Sequence, residues 1–244
     1  MLETFARSCY NLGIYRFEGI MNSKILGILI DAFPKLIMKG IEVTLPLTLV
    51  SFAFAMVIAI FTALVQYAKV PVLRQIARFY VWVIRGTPLL VQLFVVFYGL
   101  PSIGLYVDPI PTAIIVFSVN EGAYCAETMR GSLESVPVGQ LEAGYCVGMS
   151  YMQTVFRIIL PQALRSAFPS LFNGLISLVK DTSLAYNLTV IEMFTQAKRI
   201  AAKNYQTFAL YCEVAVIYLL FCTLLTFLQR FIEKQLSKRG FTKE

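Results

Sequence analysis

Histidine is absent from the 244 residues, which excludes histidine acid–base chemistry and imidazole metal ligation. Charge is scarce: Asp, Glu, Lys and Arg make up 14% of the chain, against about one quarter in a soluble domain. No G-x-x-x-x-G-K-[ST] phosphate loop occurs, so ATP hydrolysis by that device is not a job for this chain. The cysteines (Cys9, Cys125, Cys146, Cys212 and Cys222) are odd in number and scattered, mostly within apolar runs. None of their spacings fits a zinc or redox motif, and they read as small packing residues. The first forty residues show no continuous apolar stretch ending in a small-residue cleavage site, which argues against a cleaved signal peptide. Internal repeats and low-complexity tracts are also missing.

Apolar residues dominate instead, at 58% of the chain with a mean hydropathy of +0.71. That composition describes an all-α integral membrane protein, since each span needs about 20 apolar residues to cross a core of ~30 Å. The net charge of +7 could suggest nucleic acid, but basic residues flanking spans and touching anionic headgroups account for it.

Five spans are expected, over roughly Met38–Gln66, Arg74–Leu100, Pro111–Leu133, Val155–Val179 and Thr207–Ile232. Clusters such as "YAKVPVLR" and "GLPSIGLYVDPIP" separate them. Residues 1–37, with Arg16, Lys24 and Lys35 among apolar positions, suggest an interfacial helix ahead of a transmembrane domain over 38–236 and a basic tail over 237–244. The first loop, "KVPVLRQIAR", is basic, while the second has one acid and no base. That contrast places the first loop inside, the amino end outside and the carboxyl end in the cytoplasm.

One stretch does not suit a simple crossing: "QLEAGYCVGMSYMQTVFRIILPQALRS", Gln140–Ser166. Pro137 suits a first helical turn, Ser135 is placed to cap it, and Glu142 falls early, where the helix dipole favours an acid. Gly144 and Gly148 remove side chains and permit a close approach. The expected product is a short surface helix, over about 136–150, docked into a groove on a soluble partner.

These residues resemble the signature of permease subunits of ATP-binding-cassette importers, specifically the type I polar amino-acid group. That signature begins Glu-Ala-Ala, has Gly four residues after the second Ala and ends Ile-x-Leu-Pro. Here it is Glu142, Ala143, Gly144, Gly148, Ile158, Leu160 and Pro161, with Gly144 in place of the second alanine. The substitution lowers local helix propensity by about 1 kcal/mol. "RGTPLLVQLF" (Arg85–Phe94) and "KDTSLA" (Lys180–Ala185) are similar to the same group, and the resemblance extends from Lys39 to the carboxyl end. It implies a five-span core in a bacterial cytoplasmic (inner) membrane and a coupling helix gripped by an ATPase. It further implies two ATP-binding subunits carrying ATP and Mg, a second permease copy or paralogue, and an extracellular or periplasmic binding protein. No cofactor is expected on this chain, and cystine or another polar amino acid is the expected cargo.

Arg85 lies eleven residues past Arg74, about 16 Å along a helix, and Glu121 lies at similar depth on the next span. Charges at that depth mark a substrate path or an ion pair. Two readings stand side by side. Arg85 offers a fork for an α-carboxylate, with Glu121 and Asn120 for an α-ammonium; or Arg85 and Glu121 form a permanent salt bridge. Length counting puts Asp181 and Thr182 at the outer edge; the resemblance instead puts them on the path, Asp181 facing the substrate amino group. Gln92, two turns beyond Arg85, either lines the path or bonds a neighbouring helix. Glu127 and Arg130 suit a local i, i+3 pair. The competing function is an ion-coupled secondary transporter or channel for a small zwitterion, which leaves the Gln140–Ser166 stretch without a purpose.

Overall fold

The computed structural model describes residues 23–68 and 70–238. Expectations for residues 1–22, Lys69 and 239–244 fall outside the described residues. Helix α1 (Ser23–Tyr67) leads to α2 (Pro71–Arg85), α3 (Leu89–Ile103), α4 (Pro109–Ser135) and the short α5 (Gly139–Cys146). A one-turn helix α6 (Tyr151–Thr154) then runs into α7 (Leu160–Asp181). A 3₁₀ segment (Thr182–Leu188), α8 (Met193–Asn204) and α9 (Thr207–Lys238) complete the bundle.

Three π-helical turns interrupt these helices, at Gly40–Thr44, Val95–Gly99 and Val155–Ile159. Each is followed within two residues by a proline: Pro46, Pro101 and Pro161. Proline lacks an N–H and its ring collides with the carbonyl four residues back. In all three cases that carbonyl belongs to the central residue of the π turn, Glu42, Phe97 or Arg157. The wider turn gives the ring room, so the helix continues where a strict α-helix would break.

Helix α1 therefore runs unbroken through residue 38, where the sequence suggests a boundary. Its 45 residues span about 68 Å, more than twice the apolar thickness of a bilayer. Ala32 and Leu36, ahead of that boundary, are buried against α8 and α9. The expected second span is not one helix: α2 and α3 meet at an angle of 102°. By length and apolarity, 23–67 and 207–236 each suffice to cross a membrane, and α2 with α3 suffice only as a bent pair.

Helix α4 is the axis of the bundle. Ala59 and Ala63 on α1 meet Ala123 and Ala126 on α4, small residues that let two backbones come close. At Gly122 a Cβ would press on Ile58 Cγ2 at 3.0 Å. Because protein surrounds it, α4 keeps polar residues such as Ser118, Asn120 and Glu121 in the interior. The outer surface is apolar: Phe54, Val57 and Phe61 on α1 and Leu220, Leu224 and Phe227 on α9 are exposed, as lipid contact requires.

Candidate functional site

The loop between α4 and α7 is built around one close contact. Gly144 is buried, and a Cβ there would lie 2.5 Å from both Cγ2 and Oγ1 of Thr154. Thr154 is itself fully buried, its hydroxyl donating to the Ser150 carbonyl at 3.1 Å. Glycine at 144 thus clamps α5 onto α6, and the lost helix propensity is exchanged for contact.

Gly148 works differently from the expected close approach. Nothing lies within 4 Å of its would-be Cβ, but its φ is +79°, a left-handed conformation that glycine adopts without strain. The Met149 N–H donates to the Gly144 carbonyl at 3.0 Å and the Gly148 N–H to the Tyr145 carbonyl at 2.9 Å, a Schellman ending for α5. Ser135 does not cap this helix either: its hydroxyl donates back to Ser132 at 2.8 Å, and α5 begins at Gly139 without a side-chain cap. The capping box belongs to Ser150 and Gln153 at the start of α6.

Glu142 falls in the first turn of α5 as expected, and Glu142, Ala143, Tyr145, Cys146 and Val147 are all exposed. Ile158 and Leu160 are half-buried, and Pro161 is exposed. The carbonyl of Ile158 accepts from Gln162 Nε2 at 3.0 Å. The segment is a helix held from below with its outer face bare.

The second polar cluster sits where α2 bends into α3. Gly86 and Pro88 end α2, leaving its last carbonyls without helical partners. Thr87 Oγ1 donates to the Val83 carbonyl at 2.9 Å, and Gln92 Nε2 to the Ile84 carbonyl at 2.8 Å. Gln92 Oε1 accepts from Asn120 Nδ2 at 2.9 Å. One side chain thereby ties both halves of the bend to α4. Gln92→Leu would strand the Ile84 carbonyl and the Asn120 amide, lowering stability by about 1–3 kcal/mol. Thermal unfolding of the detergent-solubilised protein checks this.

Glu121 turns away from Asn120, towards α7. It is buried, accepts from Cys125 Sγ at 3.3 Å, and occupies space left open by Gly174, where any Cβ would strike its Oε1. Asp181, half-buried at the end of α7, acts on it electrostatically. The α-to-3₁₀ transition follows directly. Thr182 is fully buried and donates to the Val179 carbonyl at 2.7 Å, closing the helix end.

Arg85 does not join this group. Its guanidinium lies over the Tyr124 ring, 5.3 Å from the centroid, and no Arg85–Glu121 ion pair forms. Similar depth was not sufficient, because Glu121 faces α7 while the charged face of α2 looks towards Tyr124 and Glu127. The Glu127–Arg130 pair is present at 2.5 Å, and Arg130 adds Glu134 at 2.6 Å.

Sequence reasoning passes over Glu192. Fully buried, it caps α8 by accepting from the backbone of Phe194 at 2.7 Å and Thr195 at 2.6 Å, and it accepts from Tyr218 Oη at 3.0 Å. An acid set directly before the run "MFTQAKRIAAKN" is its signal.

A bent span, a polar centre and an exposed end helix form the geometry of a membrane transporter subunit. The profile of the family described as binding-protein-dependent transport system inner membrane component matches residues 43–238, and the chain belongs to that family. It is a transporter membrane subunit rather than an enzyme. Over 209 residues it is 49% identical to the L-cystine transport system permease protein TcyB of Bacillus subtilis (strain 168), covering 85% of this chain and 89% of the relative. It is 34% identical to the glutamine transport system permease protein GlnP of Escherichia coli (strain K12), covering 83% and 93% respectively. A crystal structure of an amino acid ABC transporter with histidines superposes with a TM-score of 0.74 at 28% identity, over 87% of this chain and 96% of that one. An inward-facing structure of the MetNI methionine ABC transporter, at 22% identity and a TM-score of 0.71, covers 82% of this chain and 96% of that one and supports the fold.

Proposed function

We propose that this chain is the permease subunit of an ATP-driven amino-acid importer, with cystine as its cargo, working by alternating access. The observation that carries the coupling part is the Glu142–Pro161 segment: clamped inward through Gly144 and Thr154, bare outward, and matched to the importer signature. An ATPase closing around α5 moves α6 and α7 with it, because the Gly144–Thr154 contact and the continuous α6–α7 helix leave no slack. Two ATPase subunits, carrying ATP and Mg, sit at that cytoplasmic face. A second permease copy or a paralogue completes the path, and an external binding protein delivers the substrate. In this reading five spans cross the inner membrane, with the amino end outside.

Within the membrane, Glu121 and Asp181 present two carboxylates to an α-ammonium, and Asn120, oriented by Gln92, adds a neutral hydrogen-bonding group. Gln92 and Thr182 act by positioning. Identity to a cystine permease supports cystine as the cargo.

The test is an uptake panel with the complex reconstituted in vesicles. Radiolabelled L-cystine is expected to accumulate only with ATP, the ATPase and the binding protein. Uptake driven by an ion gradient without the ATPase would establish the secondary-transporter alternative.

A further inference from the structure

A cavity of about 620 Å³ opens between α2 and α4, on the side away from the Glu121–Asp181 pair. That volume lies within the range of small-molecule sites, roughly 300–1,000 Å³. Arg74, Arg78 and Arg85 line it from α2; their spacing places all three on one face of the helix over about 16 Å. Glu127 and Glu134 on the opposite wall both bind Arg130, and Glu127 also faces Arg78 and Arg85, which leaves the lining of four arginines and two glutamates with a net charge of +2. Among the described residues the three α2 arginines form no ion pair.

Gln66 supplies an independent pointer. It lines the same cavity from α1, is only 6% exposed, and its Nε2 has no hydrogen-bond partner. The buried Nε of Arg74 also lacks one. Buried donors of this kind are ordinarily satisfied. The groups left over, Arg74, Arg78 and Gln66 Nε2, are all donors and two of them carry positive charge, so what completes the cavity is an anion with several acceptor oxygens.

We infer that this cavity is an anion site, separate from the Glu121–Asp181 pair, which holds a carboxylate or phosphate group through Arg74, Arg78 and Gln66. The two sources of that chemistry are a carboxylate of the transported amino acid and the headgroup of an anionic phospholipid. The first source rests on the transport function proposed above, and the anion site itself does not.

Trp82 lines the cavity and is the single tryptophan of the chain, so its emission reports on the site. The full chain is placed in phosphatidylcholine nanodiscs and titrated with L-cystine or with cystine dimethyl ester, which has no free carboxylate. A second preparation uses phosphatidylglycerol nanodiscs. A saturable emission change with cystine and not the ester assigns the site to the substrate; a change on moving to phosphatidylglycerol, with no further response to cystine, assigns it to lipid. Either must weaken at least tenfold in Arg74→Gln/Arg78→Gln and in Gln66→Leu, and persist in Arg78→Lys, which keeps the charge and controls for folding. No response to either source, or one unchanged in the double variant, overturns the site. Failure of ATP-driven uptake, by contrast, removes the proposed transport function and leaves a lipid-occupied site standing.

Discussion

A transporter assembled with Glu142→Arg still hydrolyses ATP but imports cystine about 100-fold more slowly, a loss of ~3 kcal/mol in coupling at 1.4 kcal/mol per decade. The side chain of Glu142 is exposed and makes no hydrogen bond or ion pair among the described residues, so folding of the described bundle does not depend on it. Exposed substitutions of this kind usually change stability by less than about 0.5 kcal/mol. The acid also sits in the first turn of α5, where it complements the positive end of the helix; an arginine there opposes both the dipole and any basic rim of a partner groove. ATPase and uptake rates measured on the same vesicles separate the two outcomes. A parallel fall in both would mean lost assembly, and unchanged uptake would mean that α5 is only a turn.

Gly174→Val is expected to abolish uptake, at least about 100-fold, and to destabilise the protein by about 1–3 kcal/mol, the usual effect of overpacking. The space a Cβ needs is occupied by Glu121 Oε1, which also accepts from the neighbouring Cys125 Sγ. The carboxylate must leave its place beside Gly174 and Cys125. A second change, Glu121→Ala, removes the collision. In the double variant the melting temperature should recover while uptake stays lost, because the steric conflict is gone but the carboxylate is too. Recovery of both would show that Glu121 serves packing alone.

The apolar runs, the order of the helices and the Glu142–Pro161 signature were legible because hydropathy and spacing are linear properties. The role of Gly148 was not, since its φ of +79° is a backbone property that sequence only hints at. The partners of Arg85 and Glu121 were hidden for another reason. Counting residues gives depth, while facing depends on azimuth, which changes by about 100° per residue. Asn120 and Glu121 are neighbours in sequence yet meet α3 and α7 respectively. The sharp bend after Arg85 was signalled by Gly86 and Pro88, but its 102° angle is set by contacts with α4 through Gln92. The three π turns were marked by prolines that, taken singly, look like ordinary helix starts.

Cys146 offers the most direct test of the central claim. It lies exposed on α5, and in a variant with Cys9, Cys125, Cys212 and Cys222 replaced by alanine it becomes the single thiol. Its maleimide labelling rate is measured in inside-out vesicles before and after the ATPase subunits are bound. The account predicts ready labelling of the bare permease and at least tenfold protection in the assembled complex, deepened when ATP closes the ATPase. Equal labelling with and without the ATPase, or labelling only from the opposite side of the membrane, would contradict it.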